Sequence, residues 1–145
     1  MSQIRYVACD AALKRRVGEV MGPVAERHVC LEDGFTFVAT EGTTPVGLLA
    51  IRRRRLPEPI PETYDGFVNI IEVSERYRRK GIAKRLVEMS IGRCRQLGLY
   101  QVRGWSSVDK REAILMWRAL GFTLCPGIEI HGGQEIKGYL VAQKL

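Results

Sequence analysis

The sequence predicts one domain of mixed α+β architecture spanning residues 1–145. Three observations predict it. The chain is long enough for a single hydrophobic core but short for two. Apolar residues alternate with period two in some stretches and recur with helical period in others. The stretches fall in the order βααβββαβαββ, in which runs of strands are separated by helices.

Ile4 to Val7 reads as the first strand. Asp10 is placed to cap a helix carrying Leu13, Val17 and Val20/Met21 on one face. Gly22-Pro23 ends that helix and starts another, because proline suits a first helical turn, and Val24, His28 and Leu31 line its apolar side. Phe35–Thr40 and Pro45–Arg53 flank the turn Glu41-Gly42-Thr43-Thr44, a hairpin signal. Leu56–Asp65, with Pro57, Pro59 and Pro61, is the one long irregular segment, and such loops are often functional. The strand Gly66–Val73 is apolar through its second half. From about Gly81 a long helix sets Ile82, Leu86, Val87, Ser90/Ile91, Cys94 and Leu97 in one stripe, and Gly98 closes it. Tyr100–Trp105 is a strand. Asp109 and Glu112 resemble a capping box opening a last helix that Gly121 ends. Phe122–Cys125, Ile128–His131 and Glu135–Val141 complete the sheet, with Gly132-Gly133 turning the last pair.

Composition narrows the class. With 46% hydrophobic and 27% charged residues the chain reads as an ordinary globular protein. No apolar run reaches membrane-spanning length and no signal-peptide layout opens the chain, so a cytoplasmic protein with no membrane partner is expected. Cys9, Cys30, Cys94 and Cys125 are scattered, which predicts reduced thiols and no metal site. A formal net charge of +7 suits an anionic partner without choosing one.

The most informative stretch is Val68-Asn69-Ile70-Ile71-Glu72-Val73, then Ser74–Tyr77, then Arg78-Arg79-Lys80-Gly81-Ile82-Ala83. A β-branched strand feeds through a basic turn into an amphipathic helix. The first N–H groups of a helix have no intrahelical partner and sit at the positive end of its dipole. Gly81 carries no Cβ to hold a ligand away, and Arg78, Arg79, Lys80 and Lys84 add charge. Such a place suits a phosphate or pyrophosphate. Neither G-x-G-x-x-G nor G-x-x-x-x-G-K-[ST] is present, which argues against dinucleotide and P-loop readings.

What stands there is R-x-x-G-x-A, which resembles the acetyl-coenzyme A loop, [QR]-x-x-G-x-[GA], of the GNAT N-acetyltransferase superfamily. About thirty positions on, Ala113-Ile114-Leu115-Met116-Trp117-Arg118-Ala119-Leu120-Gly121-Phe122 is similar to that family's A-x-x-L-Y-x-x-L-G-F segment. The resemblance covers most of the chain from about Phe35 onward. It implies the GNAT acyl-CoA N-acyltransferase fold, a mostly antiparallel twisted sheet with about four flanking helices. It also implies acetyl-CoA as cosubstrate, with an acetyl or related acyl group passing directly to an amine. On the family pattern, pantetheine lies along the strand ending at Val73, near Ile71. The chain from Arg78 and Arg79 through Lys80, Gly81, Ile82 and Ala83 to Lys84 holds the pyrophosphate. Lys110 stands where the family often has an asparagine near pantetheine, and Trp117 stands at the edge of the groove or in the core.

The chemistry needs a base, since an alkylammonium has a pKa of about 10.4. At positions the family often uses for it, this chain has Phe67, Asn69 and Trp105, none of them a base. Glu72 is the nearest carboxylate and is the catalytic candidate. Simple alternation turns it away from Asn69, and a β-bulge in that strand, common in the family, reverses the parity. Its plainer reading is an ion pair with a neighbouring arginine. Where the family usually has a tyrosine to protonate the thiolate, Trp117 offers only an N–H donor. Tyr139, water, Tyr64 and Asp65 are the substitutes.

Two readings follow: an N-acetyltransferase acting on a small-molecule amine, a peptide N-terminus or a lysine, and a weakly active or inactive CoA-binding sensor of the same fold. The acceptor is expected beside Leu56–Asp65 and the Gly132-Gly133 hairpin. The run Arg52-Arg53-Arg54-Arg55 tempts a nucleic-acid reading, but strand alternation splits it between two faces and no aromatic stripe accompanies it, so a solvated strand end or a contribution to the acceptor cleft is expected instead. His28 and His131 lack metal-ligand company. Dimerisation through the C-terminal strands is common in the family.

Overall fold

Strand alternation and helical stripes assemble into a seven-stranded sheet with helices on both faces. In a computed structural model describing residues 3–145, the elements are β1 (Ile4–Ala8), α1 (Ala11–Met21), α2 (Pro23–His28), β2 (Gly34–Glu41), β3 (Thr44–Arg55), β4 (Tyr64–Val73), a 3-10 turn at Glu75–Tyr77, α3 (Ile82–Gln96), β5 (Gln101–Ser107), α4 (Arg111–Ala119), β6 (Thr123–His131) and β7 (Gln134–Lys144). The sheet order is β1-β2-β3-β4-β5-β7-β6. Every neighbouring pair is antiparallel except β4 and β5, which run parallel. No described helix is long and apolar enough to cross a membrane.

The helix on each face is fixed by its stripe. Ile82, Leu86, Val87, Ser90, Ile91 and Cys94 of α3 are buried and pack with Leu49, Ile51, Val73, Val102 and Val141 of the sheet and Trp117 of α4. On the other face Val17 of α1 and Ala25 of α2 pack with Val38 and Leu48. Each such fully buried aliphatic side chain stabilises the fold by about 1.5–3 kcal/mol. Asp10 caps α1, its Oδ1 accepting the Leu13 N–H at 2.8 Å. All four cysteines are free thiols. Burial pushes the Cys94 thiol up to about 12, and burial with the nearby Asp10 charge pushes Cys9 up to about 11, so neither is a thiolate at neutral pH.

Four expectations need correction. Val24 is exposed, and α2 buries Ala25 instead. Leu97 ends the α3 stripe in solvent. Asp109 is no helix cap: its carboxylate accepts from Ser107 Oγ, Lys110 holds the cap position without a side-chain bond, and Glu112 turns to Arg79. Finally β6 runs unbroken through Pro126-Gly127. It lies at the sheet edge, where a missing N–H breaks no ladder.

Candidate active site

The site grows from a fault in the sheet. β4 and β5 pair only at Gly66↔Val102 and Phe67↔Arg103. Beyond Phe67 the two strands part, and β4 from Val68 to Val73 pairs with β3 alone. One edge of that strand therefore faces a gap in mid-sheet, and parallel strands without a neighbour leave backbone donors and acceptors open.

At the end of β4 the chain turns sharply. Ser74 N–H donates to Val46 O at 2.8 Å, and Arg78 Nε donates to Val73 O at 2.9 Å. Tyr77 folds back under the turn. Its hydroxyl donates to Glu41 at 2.6 Å, and that bond to a carboxylate raises the phenol above its ordinary pKa. Arg79 has φ 63, the one non-glycine residue with positive φ among the described residues, and Gly81 has φ 79. Backbone turned this way brings successive N–H groups to one concave side, the arrangement that binds anions. Among the described residues, no N–H from Arg79 through Lys80, Gly81, Ile82 and Ala83 to Lys84 donates to a protein acceptor, and the first bond of α3 runs from Arg85 to Gly81 O. A Cβ at Gly81 would meet nothing within 4 Å. A crown of unpaired amides thus opens onto empty space at the positive end of a fifteen-residue helix. Arg79, Lys80 and Lys84 are exposed around it, with Arg79 3.1 Å from Glu112 of α4.

The bulge in β4 is present. Ala50 pairs with Ile70 and Ile51 with Val68, so Asn69 is the extra residue. Ile71 and Val73 face the α3 core, while Glu72 lies opposite Leu48, a member of the core beneath α1 and α2. Glu72 thus shares a face with Asn69, whose amide donates to His28 O at 2.8 Å at the end of α2. Glu72 is exposed and makes no ion pair or side-chain hydrogen bond among the described residues, so the ion-pair reading finds no partner.

The remaining candidates fall apart from this group. Trp117 is 2% exposed, tilts against Phe122 at 4.8 Å, and gives its indole N–H to Ser106 Oγ at 3.1 Å. It is a core residue, with neither surface nor free donor for a cofactor. Lys110 is exposed at the start of α4. Tyr139 packs half-buried against the α3-side core. Tyr64 lies on that same face, its oxygen accepting from Arg55 Nε and Nη2 at 3.1 and 2.9 Å, which lowers the phenol pKa. Trp105 lies against β7 where Gly138 leaves room, since a Cβ there would come within 2.7 Å of the indole.

The four arginines of β3 divide as alternation requires. Arg53 and Arg55 sit over the Tyr64 ring, Arg54 over Phe67, and Arg52 bonds Asp33 at 3.2 Å. The structure adds a buried pair: Asp65, one of the candidate acids, is fully buried and accepts from Arg103 Nε at 2.5 Å and from Gln101 Nε2 at 3.2 Å. Nothing local marks it, because the partners lie on separate strands far apart in the chain.

The chain matches the family model described as the acetyltransferase (GNAT) family over residues 10–122. The protein belongs to the GNAT acetyltransferase family. No curated protein sequence matches it significantly. Solved structures with similar folds include NAA60 of Arabidopsis thaliana in complex with a bisubstrate analogue, with TM-score 0.79 and 16% identity over 98% of both chains. The same plant protein in complex with acetyl-CoA aligns with TM-score 0.73 and 16% identity over 99% of both chains. The ribosomal-protein-S18-alanine N-acetyltransferase of Escherichia coli aligns with TM-score 0.73 and 14% identity over 98% of this chain and 94% of its own. At these identities the likeness establishes the GNAT fold, and the mixed α/β sheet with four helices is that fold.

Proposed function

We propose that the protein is an acetyl-CoA-dependent N-acetyltransferase acting on a primary amine. One observation carries this reading: unpaired N–H groups from Arg79 to Lys84 open onto free space beside Gly81, directly after a strand edge left bare by the parting of β4 and β5. The cradle fits a diphosphate. Six amides in a row leave room for several charge-assisted hydrogen bonds, each worth about 1.5–3 kcal/mol. The bare edge of β4 near Ile71 and Val73 suits an amide-bearing arm lying alongside as an extra strand. Family membership and the acetyl-CoA complex of the Arabidopsis relative support the same cosubstrate. When bound, acetyl-CoA supplies an activated acetyl thioester.

The chain supplies the rest. Glu72, on the face away from α3 and free of partners, accepts the proton that the acceptor ammonium must lose. A positioned base of this kind contributes about 10²–10⁴ in rate. Backbone N–H groups along the open edge of β4 are donors for an oxygen that gains negative charge, worth about 3 kcal/mol for one well-aimed donor. The Arg79–Glu112 contact ties the loop to α4 across the surface.

A second reading, a CoA-binding module with little turnover, is favoured by one observation. The position that would carry a tyrosine acid is Trp117, whose only donor is spent on Ser106. Calorimetric titration with acetyl-CoA, followed by measurement of free thiol release over a panel of amines, separates the two. Binding with amine-dependent release supports the transferase; binding without release from any amine supports the module; no binding overturns both.

A further inference from the structure

We propose that Arg54, Phe67 and Arg103 form an anion-recognising floor to the acceptor cleft, so that the amine this protein acetylates belongs to a molecule carrying a carboxylate. The inference rests on the transferase reading and names its substrate class.

The three residues come from three adjacent strands, β3, β4 and β5. Their guanidinium carbons flank one ring, Arg54 at 4.5 Å and Arg103 at 5.9 Å from the Phe67 centroid. Phe67↔Arg103 is also the last rung before β4 and β5 part, so the cluster stands at the foot of the gap. It lies on the acceptor side. Phe67 is two residues from Asn69, which reaches α2, and Arg103 alternates with Val102, which is buried in the α3-side core.

Asp65 holds the arrangement from beneath. It is fully buried and engages Arg103 through Nε, the inner nitrogen of the guanidinium. The terminal nitrogens of Arg103 have no protein partner among the described residues, and its side chain keeps a third of its surface. Arg54 is exposed and forms no ion pair among the described residues. Two guanidinium charges therefore face one carboxylate, leaving a surplus of one positive charge at the cleft. A guanidinium oriented by one nitrogen, with its outer pair free, presents the planar fork that a carboxylate matches.

The separation along β4 adds a length. Phe67 and Glu72 are five residues apart, about 16 Å at strand rise and somewhat less across the bulge. Side chains close part of that distance. The carboxylate then lies several bonds from the reacting amine, as in an ω-amino acid or a peptide with an acidic side chain near its N-terminus.

The test compares kcat/KM for matched acceptors with acetyl-CoA saturating. One arm uses ω-amino acids of increasing length against their primary amides. The other uses short peptides with Asp or Glu in the second position against Asn or Gln. The expected result is a preference of about tenfold or more for the carboxylate, expressed mainly in KM, in at least one arm. It shrinks as salt rises. Arg54→Gln should cut that preference about tenfold while acetyl-CoA affinity by calorimetry stays unchanged, and Arg54→Lys should retain most of it. Arg54 is exposed, so these variants are expected to fold. Preference in the first arm alone identifies free amino acids as the source, and in the second alone, peptides. Turnover with equal rates for carboxylate and amide in both arms, or a preference indifferent to Arg54→Gln, overturns the proposal and leaves the transferase reading standing. No acetyl-CoA binding overturns both.

Discussion

Replacing Gly81 by leucine tests the cradle directly. Gly81 has φ 79, and a Cβ built there meets no atom within 4 Å. The added Cβ meets no clash, so the main stability cost is the left-handed backbone, about 1–2 kcal/mol. For a chain of this size that lowers Tm by roughly 2–8 °C. Its effect on the cosubstrate is far larger. An isobutyl group in the free space beside the unpaired amides displaces the diphosphate from at least two of them. Two lost charge-assisted bonds amount to about 3–6 kcal/mol, or about 10²–10⁴ in Kd. Gly42, in the β2–β3 turn, supplies the control: φ is 61, its Cβ space is equally empty, and it lies in a different turn. Gly42→Leu should cost similar stability and leave affinity untouched. The assay is calorimetric titration of acetyl-CoA into each folded variant, with Tm from scanning calorimetry alongside. Affinity within twofold of the parent in Gly81→Leu would refute the reasoning, because it would place the diphosphate elsewhere.

Glu72→Gln should lower kcat by about 10²–10⁴ with acetyl-CoA affinity unchanged, read by thiol release and calorimetry; full activity would remove Glu72 from the chemistry. Trp117→Phe should destabilise the fold by about 1–3 kcal/mol in urea unfolding, because it strands the buried Ser106 hydroxyl, and should leave acetyl-CoA affinity within a factor of two. At pH 7.5 a disulfide reagent should label exposed Cys125 promptly and reach Cys94, whose thiol is pushed up to about 12, only on unfolding. Tyr77 is protonated more tightly in the folded chain than in the unfolded one. The stability it contributes is therefore complete below the unfolded phenol pKa of 10.0 and is lost as pH rises through the higher folded value. Tyr77→Phe should flatten that alkaline decline in Tm.

The sequence disclosed those parts of the molecule whose physics is local. The α3 stripe from Ile82 to Cys94 follows from helical period, and the loop from Arg78 to Lys84 from residue types that only a few turns require. Where a residue's role depends on a distant partner, local pattern failed. Pro126 reads as a strand break until β6 is seen to lie at the edge. Asp109 has the look of a cap, but Ser107 is nearer. The bulge at Asn69 leaves no trace in β4's own pattern, since Val68, Ile70 and Ile71 are all apolar; only the register against Ala50 and Ile51 reveals it. The Asp65–Arg103 pair and the arginines about Phe67 join three strands, so no window along the chain contains them.

The two-rung seam between β4 and β5 has a mechanical consequence. Four strands stand on one side of it and three on the other, joined by those two rungs, by the bonds of Asp65 to Arg103 and Gln101, and by the core that α3 and α4 share with the sheet. A molecule seated in that opening becomes a keystone between the two leaves as well as a reactant. Each tenfold rise in free ligand concentration above its dissociation constant adds about 1.4 kcal/mol to the stability of the fold. On the proposed reading the sheet is built one member short, finished each time the protein takes up its cargo and unfinished again on release.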